Sequence, residues 1–219
     1  CEVMDSTQPF FIGPHFSIPN DTHPFGIARY APWSAVVTDG KLSATITGKD
    51  EWNGSPLAEK EGQGFKIQAT AELDGETLNM HHSIVSDTDS LVGGQFPLRL
   101  SQSPCTIEFD SKDHYYSSGK FMPLPSDWSR SDDGKTTIHL NQPLDMGIHP
   151  YLNPVKGFIL LTTNDFRVEV GFSCQSQESS CYICHQLDSS FVLIGAVSSQ
   201  NPWKPNLSVS SIGLSIRIH

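Results

Sequence analysis

Phe166-Arg167-Val168-Glu169-Val170-Gly171-Phe172 puts an apolar side chain at every second position. An extended chain turns alternate side chains to opposite faces, so this stretch predicts a strand with Val168, Val170 and Phe172 against a core and Arg167 and Glu169 towards water. Leu42-Ser43-Ala44-Thr45-Ile46 and Phe65-Lys66-Ile67-Gln68-Ala69 carry the same alternation. Residues 78–85, 104–110, 158–162, 191–197 and 208–218 add apolar runs of strand length, and turn clusters such as Asn53-Gly54-Ser55, Asp74-Gly75 and Asp132-Asp133-Gly134 punctuate the chain. No stretch of helical length repeats apolar residues every 3.6 positions, and the chain holds 17 Gly and 15 Pro. The expected fold is therefore all-β, with many short antiparallel strands in a large sandwich.

The composition narrows the rest. The chain has 219 residues, enough to bury one large core, and we read 1–219 as a single domain. At 17% charged and 37% hydrophobic it is not a disordered protein. With 14 Lys and Arg against 24 Asp and Glu the net charge is −10, and no basic cluster exists to neutralise phosphates, which argues against a nucleic-acid partner. The apolar run 191–197 is far short of the roughly 20 residues that a spanning helix needs. Cys1 in place of an initiating Met reads as an excised stretch rather than a lipid-anchored terminus. Residues 111–155, with Pro123, Pro125, Pro143, Pro150 and Pro154, read as long loops over the sheet.

Several short motifs occur in a particular order. Phe11-Ile12-Gly13-Pro14 precedes Pro24-Phe25-Gly26-Ile27-Ala28-Arg29-Tyr30-Ala31-Pro32-Trp33; the hairpin 71–80 follows, then Gly94-Gln95-Phe96-Pro97-Leu98-Arg99, Phe191-Val192-Leu193-Ile194-Gly195-Ala196 and a closing strand at 213–218. This order resembles the aldose 1-epimerase (mutarotase) superfamily over residues 10–218. The resemblance implies a galactose mutarotase-like supersandwich with a sugar or sugar-phosphate cleft on one concave face and no cofactor or metal. Such enzymes open and close a hexose ring with a Glu base and a His acid, assisted by a second His and an Arg. In an ungapped correspondence the Glu position is Gly195, the acid His is Phe96, the helper His is Phe25 and the Arg is Pro14. None of these four side chains transfers a proton, a step worth roughly 10²–10⁴-fold. The same correspondence makes Phe25, Phe96 and Gly195 converge on one region of a sheet face.

Other residues are candidates for what remains. His23, close to Phe25, and His149, in Gly147-Ile148-His149-Pro150-Tyr151-Leu152-Asn153, are the weak catalytic candidates; the latter spells the acid motif about fifty residues too late. For contact with a sugar we single out His15, His23, Arg29, Phe96 and Trp203, and Trp52 and Trp128 offer further rings to stack on. Cys181-Tyr182-Ile183-Cys184-His185 has the spacing of a haem-attachment motif, and with Cys174 it counts to four zinc ligands. Neighbours in a strand face opposite ways, so we expect neither metal there nor at His81-His82, and read the cysteines as strand residues or one disulfide. The reading is a carbohydrate-binding, aldose 1-epimerase-like protein without ordinary mutarotase activity. An active mutarotase with a rearranged site and a non-catalytic interaction sandwich are the alternatives.

Overall fold

The structure is a computed structural model that describes His23 and residues 26–100, 104–117, 120–148, 156–174, 179–186, 189–199 and 207–219. Its strands in chain order are β1 Ser34–Thr38, β2 Lys41–Thr47, β3 Glu51–Trp52, β4 Ser55–Pro56, β5 Phe65–Asp74 and β6 Thr77–Ser90. Then come β7 Gly93–Arg99, β8 Thr106–Asp110, β9 His114–Ser117, β10 Lys120–Pro123, β11 Ser129–Arg130 and β12 Lys135–His139. The last six are β13 Leu144–Ile148, β14 Lys156–Thr162, β15 Arg167–Cys174, β16 Ser180–His185, β17 Phe191–Val197 and β18 Leu207–Ile218. The described helices are a 3-10 turn at Ile27–Arg29 and one short α-helix at Leu57–Glu61.

The fold is an antiparallel sandwich. One sheet has ten strands, ordered β1-β2-β5-β6-β18-β15-β14-β8-β12-β11, and faces a six-stranded sheet ordered β10-β9-β13-β16-β17-β7. Two-residue turns close the early hairpins: Asp39-Gly40 joins β1 to β2, and Asn53-Gly54 joins β3 to β4, with φ positive at all four residues. That backbone matches the twist of the paired strands, and glycine adopts it without steric cost.

Alternation sets the core. Val168, Val170 and Phe172 of β15, Ile212, Leu214 and Ile216 of β18, and Ile107 and Phe109 of β8 point inward from the wide sheet. Phe96, Ile194, Ile183 and Met146 meet them from the narrow one, in a single buried cluster. The two sheets differ in width. At the β1 edge every residue is exposed, with Val36 61% and Val37 69% accessible, and Leu73 at the end of β5 is 70% accessible.

The described part of 111–155 corrects the expectation of long loops: β9 to β13 lie there. These strands are two to five residues long, too short to register as alternation between their prolines and charged turns. Pro123 ends β10, an edge strand of the narrow sheet, where a residue without an N–H costs no ladder hydrogen bond.

Candidate functional site

The position matched to the family's base lies on β17. Val192, Ile194 and Ala196 of that strand join the core, while Leu193 joins a second cluster with Tyr182 and Cys184 on the other side of the narrow sheet. Gly195 shares the face of Leu193, because residues two apart on a strand point the same way. Across the ladder Gly195 is opposite Tyr182 on one side and Gln95 on the other, and Gly147 lies beyond Tyr182. The face is closed: Gln95 is 6%, Tyr182 9% and Cys184 2% accessible.

Phe96 and Gly195 are neighbours on paired strands, but they do not share a face. Phe96 is opposite Ile194, one residue out of step with Gly195, and points into the core with no accessible surface. The two positions are neighbours on the ladder, as expected of them, but an acid and a base acting on one ring must reach the same side of the sheet, and here the two side-chain directions leave opposite faces. The partner of Gly195 on its own face is Gln95. Its amide donates and accepts hydrogen bonds without titrating. With no exposed surface Phe96 offers a ligand nothing to touch, and its part is packing.

Gly195 is glycine for lack of room. A Cβ built there would run into the Gly94 carbonyl oxygen and lie 2.7 Å from Gln95 Cα. Gly93, opposite Val197 on the same ladder, is equally confined, its Cβ reaching the Ala196 carbonyl oxygen and coming within 2.8 Å of Val197 Cα. The two backbones approach so closely that neither position admits a side chain.

A polar contact on this face comes from the Tyr182 hydroxyl, which donates to Asp145 Oδ1 at 2.7 Å. Burial first, and then the Asp145 charge, push the phenol further above its ordinary pKa. Tyr182 therefore stays protonated at neutral pH, with its hydroxyl donating to Asp145.

Two of the expected sugar contacts come together elsewhere. The His23 ring lies 5.9 Å from the rings of both Tyr30 and Trp52, and the Arg29 guanidinium sits 5.8 Å from the centre of Tyr30. Tyr30 is 44% accessible, so the cluster reaches water. The 3-10 turn that carries Arg29 is fixed by Glu61, whose Oε2 accepts from the Ile27 N–H at 3.0 Å, and by Ile27 and Ala28 in the core. The Trp33 indole N–H donates to the Ala28 carbonyl at 2.8 Å and holds the chain after the turn. A guanidinium, an imidazole and two aromatic rings suit a sugar, whose C–H faces stack on rings and whose hydroxyls accept from cations. His15, Phe25, His149 and Trp203 lie outside the described residues.

Trp128 is a packing residue. Its ring meets Phe109 edge-on at 6.2 Å and Tyr115 at 5.5 Å. The cysteine motif is a strand of the narrow sheet, and its two thiols part company: Cys181 points into the core and Cys184 to the opposite face. Cys181 is a free thiol, Cys184 is disulfide-bonded, and burial with the nearby Asp110 charge raises the Cys181 pKa. His185 Nδ1 lies 3.1 Å from the Phe191 carbonyl oxygen. Among the described residues no group of three or more His, Cys, Asp or Glu is placed to hold a metal ion. His81 and His82 also point opposite ways, with His82 buried at 2% accessibility and His81 exposed.

Among solved structures, the chain is similar to a galactose mutarotase-like protein from Lactobacillus casei, with a TM-score of 0.64 and 11% identity over 96% of this chain and 84% of that one. A galactose mutarotase related enzyme from Lactobacillus acidophilus aligns with a TM-score of 0.62 and 14% identity, covering 90% and 74% of the two chains. An aldose epimerase homologue from C. elegans aligns with a TM-score of 0.59 and 12% identity, covering 87% and 69%. No protein-family model and no curated protein sequence matches the chain. The fold is that of the galactose mutarotase-like proteins.

Proposed function

We propose that this chain is a carbohydrate-binding domain of the aldose 1-epimerase-like type that does not catalyse ordinary anomerisation. The observation that carries the reading is Gly195 beside Gln95 on a mutarotase-like sheet: where ring opening needs a base and an acid on one face, this face presents a glycine with no room for a side chain and an amide. Tyr182, held protonated by burial and Asp145, does not substitute for either. Sugar contact is assigned to His23 and Arg29 with Tyr30 and Trp52 beside them, and to His15 and Trp203. The ligand class is a sugar or sugar phosphate.

Polarimetry on freshly dissolved α-glucose, α-galactose and a hexose 6-phosphate, with and without the protein, tests the catalytic half. The expected trace is that of the uncatalysed reaction, since losing both proton-transfer partners of one concerted site leaves orientation alone. Enzyme-dependent mutarotation that disappears in His149→Ala would replace this reading with an active mutarotase. Calorimetric titration with the same sugars tests binding. Heats that saturate and weaken in Arg29→Ala support it, whereas no saturable heat with any sugar points to an interaction sandwich.

A further inference from the structure

We propose that the outward face of the ten-stranded sheet carries a second site, a shallow groove for a short neutral oligosaccharide. It is a different surface from the Gly195 face, which belongs to the other sheet.

The register builds it. Phe158, Gly171, Ser215 and Asn79 follow one another across β14, β15, β18 and β6, and in the adjacent row Lys156, Ser173, Gly213 and His81 do the same. These positions alternate with the core residues Val170, Phe172 and Leu214, so they point away from the sandwich. Gly171 and Gly213 lie diagonally and leave the floor without side chains. A Cβ at Gly171 would run into Ser215 Oγ, and one at Gly213 would come within 2.6 Å of Ser173 Oγ, so each hydroxyl leans over the neighbouring glycine. The result is a hollow of about 570 Å³. That lies within the roughly 300–1,000 Å³ of small-molecule sites.

What lines the hollow is polar and unspent. Asn79, Lys156, Glu169, Ser173 and Ser215 make no side-chain hydrogen bond among the described residues, and Asp110 Oδ1 is buried with no partner. A buried acceptor without a donor carries a desolvation cost that a ligand hydroxyl would remove. Burial holds the Asp110 carboxyl above its ordinary pKa, opposed by the Lys135 charge. Phe158 borders the same hollow, and an aromatic ring gives the C–H face of a pyranose something to stack on.

The mixture selects the ligand class. Hydroxyl and amide groups here both donate and accept, as sugar hydroxyls do; of the charges, Asp110 and Glu169 line the hollow with Lys156, while Lys135, 5.8 Å from the centre of the Phe158 ring, is already paired with Glu108 at 3.4 Å and Asp133 at 3.8 Å. An anionic ligand therefore finds no surplus of positive charge, and the hydroxyls, the amide and the ring favour a neutral one. Length follows from a second hollow of about 390 Å³ further along the same face, lined by His81, Ser83 and Ser211 and by Val85 and Val209. Those two valines are 55% and 63% accessible and directly opposite one another across β6 and β18. Two hollows side by side along the same pair of strands suit more than one sugar ring.

Amide NMR of the full ¹⁵N-labelled chain, titrated with maltotriose, lactose and cellobiose as probes, tests the site. At least one probe is expected to give saturable shifts at Gly171, Gly213 and Ser215, with affinity at least about tenfold weaker in Phe158→Ala and in Asp110→Asn and unchanged in Arg29→Ala. Asn79→Ala is the variant with least bearing on folding, and it should weaken the same shifts. Shifts confined to residues around His23 and Arg29 would overturn the groove while leaving the proposed function standing. Saturable groove shifts that survive all three groove variants, or no saturable shift with any of the probes, would also overturn it.

Discussion

Gly195→Glu is expected to unfold the protein rather than restore a base. A Cβ at this position meets backbone on the paired strand, the Gly94 carbonyl oxygen and Gln95 Cα at 2.7 Å, and backbone in the middle of a sheet cannot swing aside as a side chain can. Overpacking typically costs about 1–3 kcal/mol where neighbours can yield. Here β7 and β17 must separate, and the new carboxylate is carried onto a face where Gln95, Tyr182 and Cys184 are all under 10% accessible. Leaving a charge there without a partner adds several kcal/mol. Together these approach the roughly 5–15 kcal/mol of stability that a native domain possesses. Gly195→Ala isolates the steric part and is expected to lower the melting temperature by several degrees, at about 2–4 °C per kcal/mol for a chain of this size. Circular dichroism melts of both variants read the effect. Wild-type melting of Gly195→Ala would show that the two strands do not approach so closely, and a folded Gly195→Glu with mutarotase activity would sink the catalytic reading altogether.

Acid is expected to destabilise the native state through His82. Its imidazole sits in the sandwich with 2% accessibility, and burial, followed by the neighbouring His81 charge, lowers its pKa from 6.5 to about 4. In the unfolded chain it titrates near its ordinary value. As pH falls from about 6.5 towards 4, the unfolded state takes up a proton that the native state refuses, and stability drops with it. The stability is fully present above the unfolded pKa, and the loss over that window is about 3 kcal/mol. Asp110 works the other way, because a carboxyl whose pKa is raised in the native state makes folding more favourable as acid is added. Urea unfolding of the wild type and of His82→Gln at several pH values between about 7 and 4 separates the two. The wild type should lose more stability than the variant, and parallel pH profiles would rule His82 out as the cause.

The sandwich was legible wherever a strand has one wet face. Strand β15 alternates along its length and β18 through its middle; β5 begins with the same alternation, and its observed end at Asp74 lies beyond the stretch 65–69 that showed it. Ser180–His185 was readable as a strand only through its cysteines and not through periodicity: all six of its residues are buried, and a strand covered on both sides leaves no alternation to read. The candidate site was legible only in part, for a reason tied to the same period of two. A one-residue offset between β7 and β17 moves Phe96 from the face of Gly195 into the core and brings Gln95 in its place, and a correspondence of short motifs does not fix the register at that resolution. His23 and Arg29 were named from sequence. Their neighbour Trp52 lies in a separate hairpin, and only the folded chain places its ring beside His23.

The unequal widths of the two sheets bear on how the molecule opens. Amide protons at the centre of the sandwich, such as those of Ile183 and Ile194, are covered by the core and can meet solvent only when the sandwich itself opens. Ser34–Thr38 at the far edge of the wide sheet, exposed at every residue, is paired on one side alone among the described residues. Detaching it uncovers little apolar surface, so it should come loose at a small fraction of the global free energy. Hydrogen exchange followed by mass spectrometry is expected to show a gradient that runs inward from this edge: β1 labels first, β2 next, and β16 and β17 last. Protection of β1 equal to that of β17 would mean that the ten strands open together, with the overhanging end clamped as firmly as the middle.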